Sequence, residues 1–262
     1  MHENLVYDNF SNLPQELNQV MSGTKSGLIR NILIAVVVLI ALLVTFLAWC
    51  YSGAIGGVDT DEKVIALTYD DGPNPPHTQA MLEVLARHNI KATFFLKGRN
   101  VDAFPELVSL IAAAGHEIGN HSYYHVPMTS FSRAKMKAEA QRVNAQLEEI
   151  LGVAPQLFRP PYGAQGPGLK LALDELQMTS ILANAMGLDW EITDGQVIAE
   201  KVLADVGPGS IILLHDGHGE PDEPNDQEGR AGTVAATELI ITQLQEEGYR
   251  FATVSELLAL AQ

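Results

Sequence analysis

The 262-residue sequence is poor in cysteine and in positive charge. Its one cysteine, Cys50, excludes an intrachain disulfide, so a folded domain must be held together by its core. Sixteen basic residues stand against 32 acidic ones, which gives a formal net charge of −16 at pH 7. Residues 1–51 hold three acids and two basic residues, so the remainder carries −15 of this charge. A phosphate backbone would repel such a domain, and we expect no nucleic-acid partner. No protein partner is evident either.

Charge is also missing from one long run near the N-terminus. Ile32–Cys50 comprises 19 residues, of which only Thr45 is polar. At about 1.5 Å rise per residue, a helix of this length spans roughly 28 Å, close to the hydrocarbon thickness of a bilayer. We therefore predict a single transmembrane helix over 32–51, preceded by a cytoplasmic segment over 1–31.

The flanking charges predict the orientation of this helix. Lys25 and Arg30 precede it, and three acids follow it within residues 59–62. The positive-inside rule then puts the N-terminus in the cytoplasm and the large domain outside. The alternative is a signal peptide cleaved near Ala54, which would release a secreted domain. The apolar core of a signal peptide is normally about 7–15 residues, which is shorter than this run.

Residues 63–262 form one predicted domain, joined to the span by a linker over 52–62. Seven strand-like runs alternate with helical stretches, near 64–69, 92–96, 116–120, 156–159, 180–186, 210–215 and 250–254. Strict alternation of strands and helices along the chain favours a parallel sheet with right-handed crossovers. A polar, proline-containing stretch at 220–229 is typical of a solvated loop, and a flap over a cleft is the alternative.

The most informative stretch is Thr68-Tyr69-Asp70-Asp71-Gly72-Pro73, where an apolar strand ends in two carboxylates and a turn. Burying adjacent acids is unfavourable, because like charges resist joint ionisation. A metal ion that took one carboxylate as a ligand would remove this cost and leave the other free to act as a base. The alternative at this point is an acidic turn between a strand and a loop that has no catalytic role.

Four more strand-like runs carry reactive side chains at or just past their carboxyl ends. The motifs are His121-Ser122-Tyr123-Tyr124-His125, Arg159-Pro160-Pro161-Tyr162-Gly163, Leu188-Asp189-Trp190 and His215-Asp216-Gly217. In a β/α barrel these ends open at one mouth, where catalytic groups gather. Asp71, His121 and His125 would then form a two-histidine, one-carboxylate set with coordination positions left open. Ligand softness favours one Zn²⁺ ion, with Co²⁺, Mn²⁺ or Ni²⁺ as alternatives.

In this order the five motifs resemble those of the polysaccharide deacetylases of carbohydrate esterase family 4, which contain the NodB-like homology domain. The resemblance extends from about Lys63 to about Leu258. Tyr69 replaces a commoner phenylalanine, Met128 replaces a commoner leucine, and the motif around Asp189 is the loosest match. The resemblance implies an α/β fold, a distorted (β/α)7 barrel, and the same metal triad.

The resemblance also implies the acid and base of the reaction. Asp70 would be the general base, oriented by Arg159. His215 would be the general acid that protonates the departing amine, and Asp189 would keep it cationic.

Three further residues would contact the acetyl group. The backbone N–H of Tyr162 would stabilise the oxyanion, and Trp190 and Leu213 would line a pocket for the methyl group. The expected function is metal-dependent removal of N-acetyl groups from an N-acetylglucosamine polysaccharide such as peptidoglycan or a chitin-like chain. The alternatives are an O-acetyl esterase acting on a xylan-like polysaccharide and a non-catalytic polysaccharide-binding barrel.

Overall fold

The computed structural model describes residues 27–51, 53–218 and 229–260. The chain divides into two compact units, Met1–Cys50 and Tyr51–Gln262. Most of the predicted cytoplasmic segment, and all of the predicted loop 220–229 except Gly229, lie outside the described residues.

The first unit contains helix α1 (Gly27–Tyr51) up to Cys50. Its 21 residues from Ile29 to Trp49 are apolar enough, and long enough, to cross a membrane. The hydroxyl of Thr45 donates to the carbonyl oxygen of Ala41 at 2.9 Å, so this polar side chain is satisfied within the helix. A membrane span and a signal sequence both have this composition.

The second unit is a parallel sheet covered by helices. Its strands are β1 (Ala54–Ile55), β2 (Val64–Asp70), β3 (Thr93–Leu96), β4 (Glu117–Asn120), β5 (Leu157–Phe158), β6 (Thr179–Ile181), β7 (Ala185–Met186), β8 (Ile211–His215) and β9 (Arg250–Ala252). The helices are α2 (His77–Arg87), α3 (Gly98–Ala103), α4 (Pro105–Ala113), α5 (Arg133–Leu151), α6 (Pro167–Glu175), α7 (Gly195–Asp205), α8 (Ala231–Glu246) and α9 (Val254–Ala259).

The strands pair in the order β1-β6-β5-β4-β3-β2-β8-β7, and β9 pairs with β2. These pairings are all parallel. The carboxyl ends of the strands therefore share one side of the sheet, as the predicted distorted (β/α)7 barrel requires.

Strand β2 shows how alternation separates the core from the site. All seven of its residues are buried, as expected for a parallel strand covered on both faces. Its odd-numbered side chains pack in the large core formed with the helices: Ile65, Leu67 and Tyr69. Val64 and Ala66 belong to a second cluster inside the barrel. Because side chains alternate, Thr68 and Asp70 share the inner face, which is apolar at its base and polar at its mouth.

The predicted strand at 180–186 proves to be two strands, β6 and β7. The backbone N–H of Leu182 still donates to the carbonyl oxygen of Ile55 at 2.7 Å. The next residues leave this partner, and Ala185 pairs with Ile212 of β8. The carbonyl oxygen of Leu182 accepts from Arg159 at 3.2 Å, so the break in the strand also serves the site.

Part of the predicted linker lies within the sheet. Strand β1 pairs with β6, Gly57 forms a bridge to Ser210, and the N–H of Val58 donates to Gly209 at 2.8 Å. Val58 is buried in the cluster inside the barrel, with Ile55 packed against it. The glycines of this segment indicate a flexible tether, but its two apolar side chains bring residues 54–58 into the folded unit.

Candidate active site

The five motifs meet in one cavity of about 760 Å³ at the carboxyl ends of the strands. Nine of the ten predicted site residues line it: Asp70, Asp71, His121, His125, Arg159, Tyr162, Trp190, Leu213 and His215. The tenth, Asp189, lies behind His215 and is hydrogen-bonded to it.

Asp71, His121 and His125 form a buried cluster that can hold a metal ion. One ligand atom from each residue lies within 4.8 Å of the other two. The Nε2 atoms of His121 and His125 are 3.6 Å and 3.4 Å from Asp71 Oδ1. Among the described residues, this buried oxygen has no hydrogen-bond partner. A cation would satisfy it, so the donor set fits a divalent metal.

Neighbouring groups orient the ligands. The ring nitrogen Nδ1 of His121 lies 2.8 Å from the carbonyl oxygen of Arg159, so that an Nδ1–H donor leaves Nε2 free to face Asp71. Asn100 donates to the backbone carbonyl of Asp71 at 2.8 Å. A Cβ at Gly217 would lie 2.1 Å from that same carbonyl oxygen, so only glycine permits this close approach.

The backbone is strained at two of the three proposed metal ligands and at a residue between the two histidines. Asp71 has φ 71°, Ser122 has φ 64° and His125 has φ 53°, in the left-handed region that non-glycine residues rarely adopt. Tyr162 (φ 59°) and Leu188 (φ 53°) share this property. Such residues persist only where surrounding contacts enforce them, and they cluster at functional sites.

The electrostatics of the cluster suit metal binding. Burial lowers the pKa of His125 to about 4, so its imidazole is neutral near pH 7, the form that binds a metal. Burial alone would raise the pKa of Asp71, but His125 and His121 hold it at about 2. Asp71 is therefore a carboxylate throughout the physiological pH range.

Asp70 is held by a buried ion pair. Arg159 Nη1 donates to Asp70 Oδ1 at 2.8 Å and to the hydroxyl of Thr68 at 2.7 Å. The guanidinium also lies over the ring of Phe95, with its Cζ 4.1 Å from the ring centroid. Burial lowers the pKa of Arg159, and the Asp70 carboxylate opposes this change. The other carboxylate oxygen, Oδ2, stands 3.7 Å from His121 Nε2 and so faces the metal cluster.

His215 and Asp189 form the second ionic pair. His215 Nδ1 lies 2.8 Å from Asp189 Oδ1, and the backbone N–H of His215 donates to Oδ2 at 2.8 Å. Burial lowers the pKa of His215, but the Asp189 carboxylate outweighs this effect and the net shift is upward. Burial raises the pKa of Asp189, and His215 reverses that shift. The pair therefore favours a cationic imidazole with Nε2 left for the cavity.

Tyr162, Trp190 and Leu213 surround these groups. Tyr162 lies in a 3₁₀ turn, Pro161–Gly163, with its ring centroid 4.7 Å from that of His125. The ring of Trp190 meets the ring of His215 edge to face, with centroids 5.5 Å apart. Tyr162 is 63% exposed and Trp190 is 45% exposed, so both present aromatic surface to a ligand at the mouth.

Sequence reasoning missed several residues of the site. Arg230 and Met186 line the cavity, and Thr233 donates to Asp189 at 2.9 Å. His218, which follows the last motif, lines it as well. No local motif indicates Arg230 or Thr233. Thr233 lies in helix α8 and Arg230 immediately precedes it, so both lie outside the five motifs.

The comparisons with known proteins agree with this geometry. Residues 57–181 match the family model described as polysaccharide deacetylase. A peptidoglycan-N-acetylglucosamine deacetylase of Bacillus cereus is 36% identical over 203 residues, which are 77% of this chain and 91% of that protein. The crystal structure of the Bc1960 peptidoglycan N-acetylglucosamine deacetylase has a TM-score of 0.73 and 33% identity, covering 81% of this chain and 96% of that one.

A further relative is longer. Peptidoglycan-N-acetylglucosamine deacetylase PgdA of Listeria monocytogenes is 34% identical over 195 residues, which are 74% of this chain and 39% of that protein. The chain thus matches about two fifths of the length of this curated relative.

A barrel with a two-histidine, one-carboxylate cluster, a buried carboxylate–guanidinium pair and a carboxylate-paired histidine defines a metal-dependent hydrolase of the carbohydrate esterase type. The chain belongs to the polysaccharide deacetylase family, carbohydrate esterase family 4.

Proposed function

We propose that this protein removes N-acetyl groups from N-acetylglucosamine units of a polysaccharide, with peptidoglycan as the first substrate to test. The observation that carries the proposal is that one cavity joins the metal cluster, the Asp70–Arg159 pair and the His215–Asp189 pair. The activities named for the Bacillus and Listeria relatives support the same substrate class.

Asp71, His121 and His125 would hold one divalent metal, and Zn²⁺ suits this ligand set. When bound, the metal would supply Lewis-acid chemistry, which polarises the acetyl carbonyl and makes water a stronger nucleophile. Co²⁺, Mn²⁺ and Ni²⁺ also accept nitrogen and oxygen ligands, so they are the alternatives to test in the acetate-release assay.

Asp70 acts as the general base in this proposal. Its carboxylate takes a proton from the attacking water as the oxygen–carbon bond forms. Arg159 fixes the orientation of that carboxylate, because its buried guanidinium donates to Oδ1 at 2.8 Å. As water adds, the C=O π electrons move onto the acetyl carbonyl oxygen, and the left-handed backbone at Tyr162 would direct its N–H toward that oxyanion.

His215 completes the reaction as the general acid. Its Nε2–H gives a proton to the amide nitrogen as the carbon–nitrogen bond breaks, so that acetate and a free amine leave. Asp189 keeps the imidazole protonated for this step. Trp190 and Leu213 would enclose the acetyl methyl group, since both line the cavity beside His215.

Acetate release tests the proposal directly. The purified protein should release acetate from peptidoglycan and from N-acetylglucosamine oligomers after addition of Zn²⁺, and a chelator should abolish the release. Acetylated xylan serves as the comparison substrate. Release from xylan alone would favour an O-acetyl esterase. Absence of release from all of these substrates with every metal tested would favour a non-catalytic polysaccharide-binding barrel.

We also propose a single-pass anchor, with residues 1–31 cytoplasmic, 32–51 in the membrane and the catalytic domain, 63–262, outside. The length of α1 and its flanking charges support this arrangement. Cleavage near Ala54 would cut within strand β1, whose pairing with β6 belongs to the folded unit. Protease added to spheroplasts should digest the domain. Protection would place the domain in the cytoplasm, and a soluble form beginning near Ile55 would indicate cleavage.

A further inference from the structure

We propose that Thr233 and Arg230 are positioning residues that hold Asp189, and through it His215, at the cavity. The inference rests on the proposed function, because it assigns a purpose to groups around the proposed general acid. Thr233 lies in the first turn of α8, and Arg230 immediately precedes this helix.

The carboxylate of Asp189 uses both of its oxygens. Oδ1 faces His215 Nδ1 at 2.8 Å. Oδ2 accepts from the backbone N–H of His215 at 2.8 Å and from the hydroxyl of Thr233 at 2.9 Å. The Asp189 side chain is fully buried. Since no solvent replaces a lost donor there, removing the Thr233 hydroxyl would free the carboxylate to rotate and so loosen the imidazole.

Arg230 joins the two chain segments that carry the pair. Its Nε donates to the carbonyl oxygen of Gly217 at 2.7 Å, two residues beyond His215. Its Nη1 donates to the backbone carbonyl of Asp189 at 2.6 Å. A planar guanidinium fixes the separation of its donors, so this one side chain sets the distance between the two segments. A lysine ammonium retains the charge but not this geometry.

Both residues act through Asp189 rather than on the reacting atoms. Thr233 is 1% exposed and does not line the cavity. Arg230 lines it but directs Nε and Nη1 toward backbone carbonyls. The competing explanation is that both residues only stabilise the start of α8. That explanation predicts a loss of folding stability without a specific loss of turnover.

Thr237 supplies the matched control, because it lies one turn further along α8. It is fully buried, accepts from the hydroxyl of Tyr69 at 3.1 Å and donates to the carbonyl of Thr233 at 2.9 Å. Thr233→Val and Thr237→Val are the same nearly isosteric change in the same helix. Only the first removes a donor to Asp189.

Thr233→Val should lower kcat by about tenfold, within the roughly 10²-fold loss that a misplaced catalytic group can cause. KM and metal content should stay near their wild-type values, and Thr233→Ser should restore kcat because it keeps the hydroxyl. Thr237→Val should lower Tm and leave kcat unchanged. If the two valine variants have the same kcat, the positioning role is wrong.

Two further measurements keep the test decisive. If Thr233→Val folds too poorly to assay, Arg230→Lys should lower kcat at unchanged KM, and wild-type turnover would overturn the proposal. If the wild type releases no acetate, the proposed function fails by itself. The downfield NMR signal of the His215 Nδ1 proton, assigned with Asp189→Asn, still tests the positioning role. It should shift in Thr233→Val but not in Thr237→Val, and an unshifted signal would contradict the inference.

Discussion

The cavity has two halves that are built in different ways. The metal half consists of Asp71, His121, His125 and the Asp70–Arg159 pair, which lie at or just past the ends of strands β2, β4 and β5. The acid half consists of His215 at the end of β8, Asp189 in the loop after β7, Arg230 immediately before α8 and Thr233 in its first turn.

The difference lies in where the supporting contacts come from. In the metal half, much of the support comes from the motif residues themselves, as when the carbonyl oxygen of Arg159 accepts from His121, and Asn100 adds one donor from outside the motifs. In the acid half, the two motif residues depend on Arg230 and Thr233, which belong to no motif. Metal binding and proton donation should therefore be separable by mutation.

Loss of the metal should have the largest effect. His121→Ala removes one of three ligands, and activity should fall by on the order of 10³-fold or more, because a catalytic metal contributes several kcal/mol. Metal content should fall in parallel. His116→Ala is the matched control, because His116 is buried against Phe94 outside the cavity and should retain metal and turnover. Full activity of a metal-stripped sample would contradict the prediction.

Loss of the base should come next. Asp70→Asn removes the proposed proton acceptor, and kcat should fall by about 10²–10⁴-fold, the usual contribution of a general base. Metal content should remain near normal, because Asp71 is unchanged. Asp71→Asn should instead lose the metal. The opposite pattern, with an empty site in Asp70→Asn, would exchange the roles of the two aspartates.

Loss of Asp189, the partner of the proposed general acid His215, should have a smaller effect on activity, and this effect should depend on pH. Asp189 raises the pKa of His215 against the opposing effect of burial. Because the general acid works only when protonated, activity is lost as pH rises through this pKa. Asp189→Asn lowers the pKa, so the alkaline limb of the pH–rate profile should move to lower pH. The acidic limb should stay in place, and an unchanged alkaline limb would remove Asp189 from the mechanism.

The contrast between the metal half and the acid half also explains which features of the fold and the site can be predicted from the sequence. Parallel strands with reactive residues at their carboxyl ends indicated an α/β sheet with its site at one mouth. The (β/α)7 barrel and the places of Tyr162, Trp190 and Leu213 came from the family resemblance. The split of 180–186 into two strands depends on hydrogen bonds to Ile55 and on pairing with Ile212, which are distant in sequence. Strand β1 was missed because the glycines on either side of it suggest flexibility. Arg230 was missed because its partners lie 13 and 41 residues away.

The smallest expected effect tests whether the two faces of β2 are independent. Tyr69 adjoins Asp70 but points away from the cavity, into the core with the helices. Burial raises the pKa of its hydroxyl, so the group stays protonated and donates to Thr237. Tyr69→Phe should therefore cost about 0.5–1.5 kcal/mol of unfolding free energy, the net value of one hydrogen bond.

Chemical denaturation of Tyr69→Phe, Thr237→Val and the double variant would isolate this bond as a coupling energy. We expect the double variant to lose less stability than the sum of the single variants, because each one breaks the same contact. The kcat of Tyr69→Phe should equal that of the wild type, since alternation along the strand directs Asp70 to the opposite face. A loss of turnover in Tyr69→Phe would show that the core face of β2 also sets the position of the base.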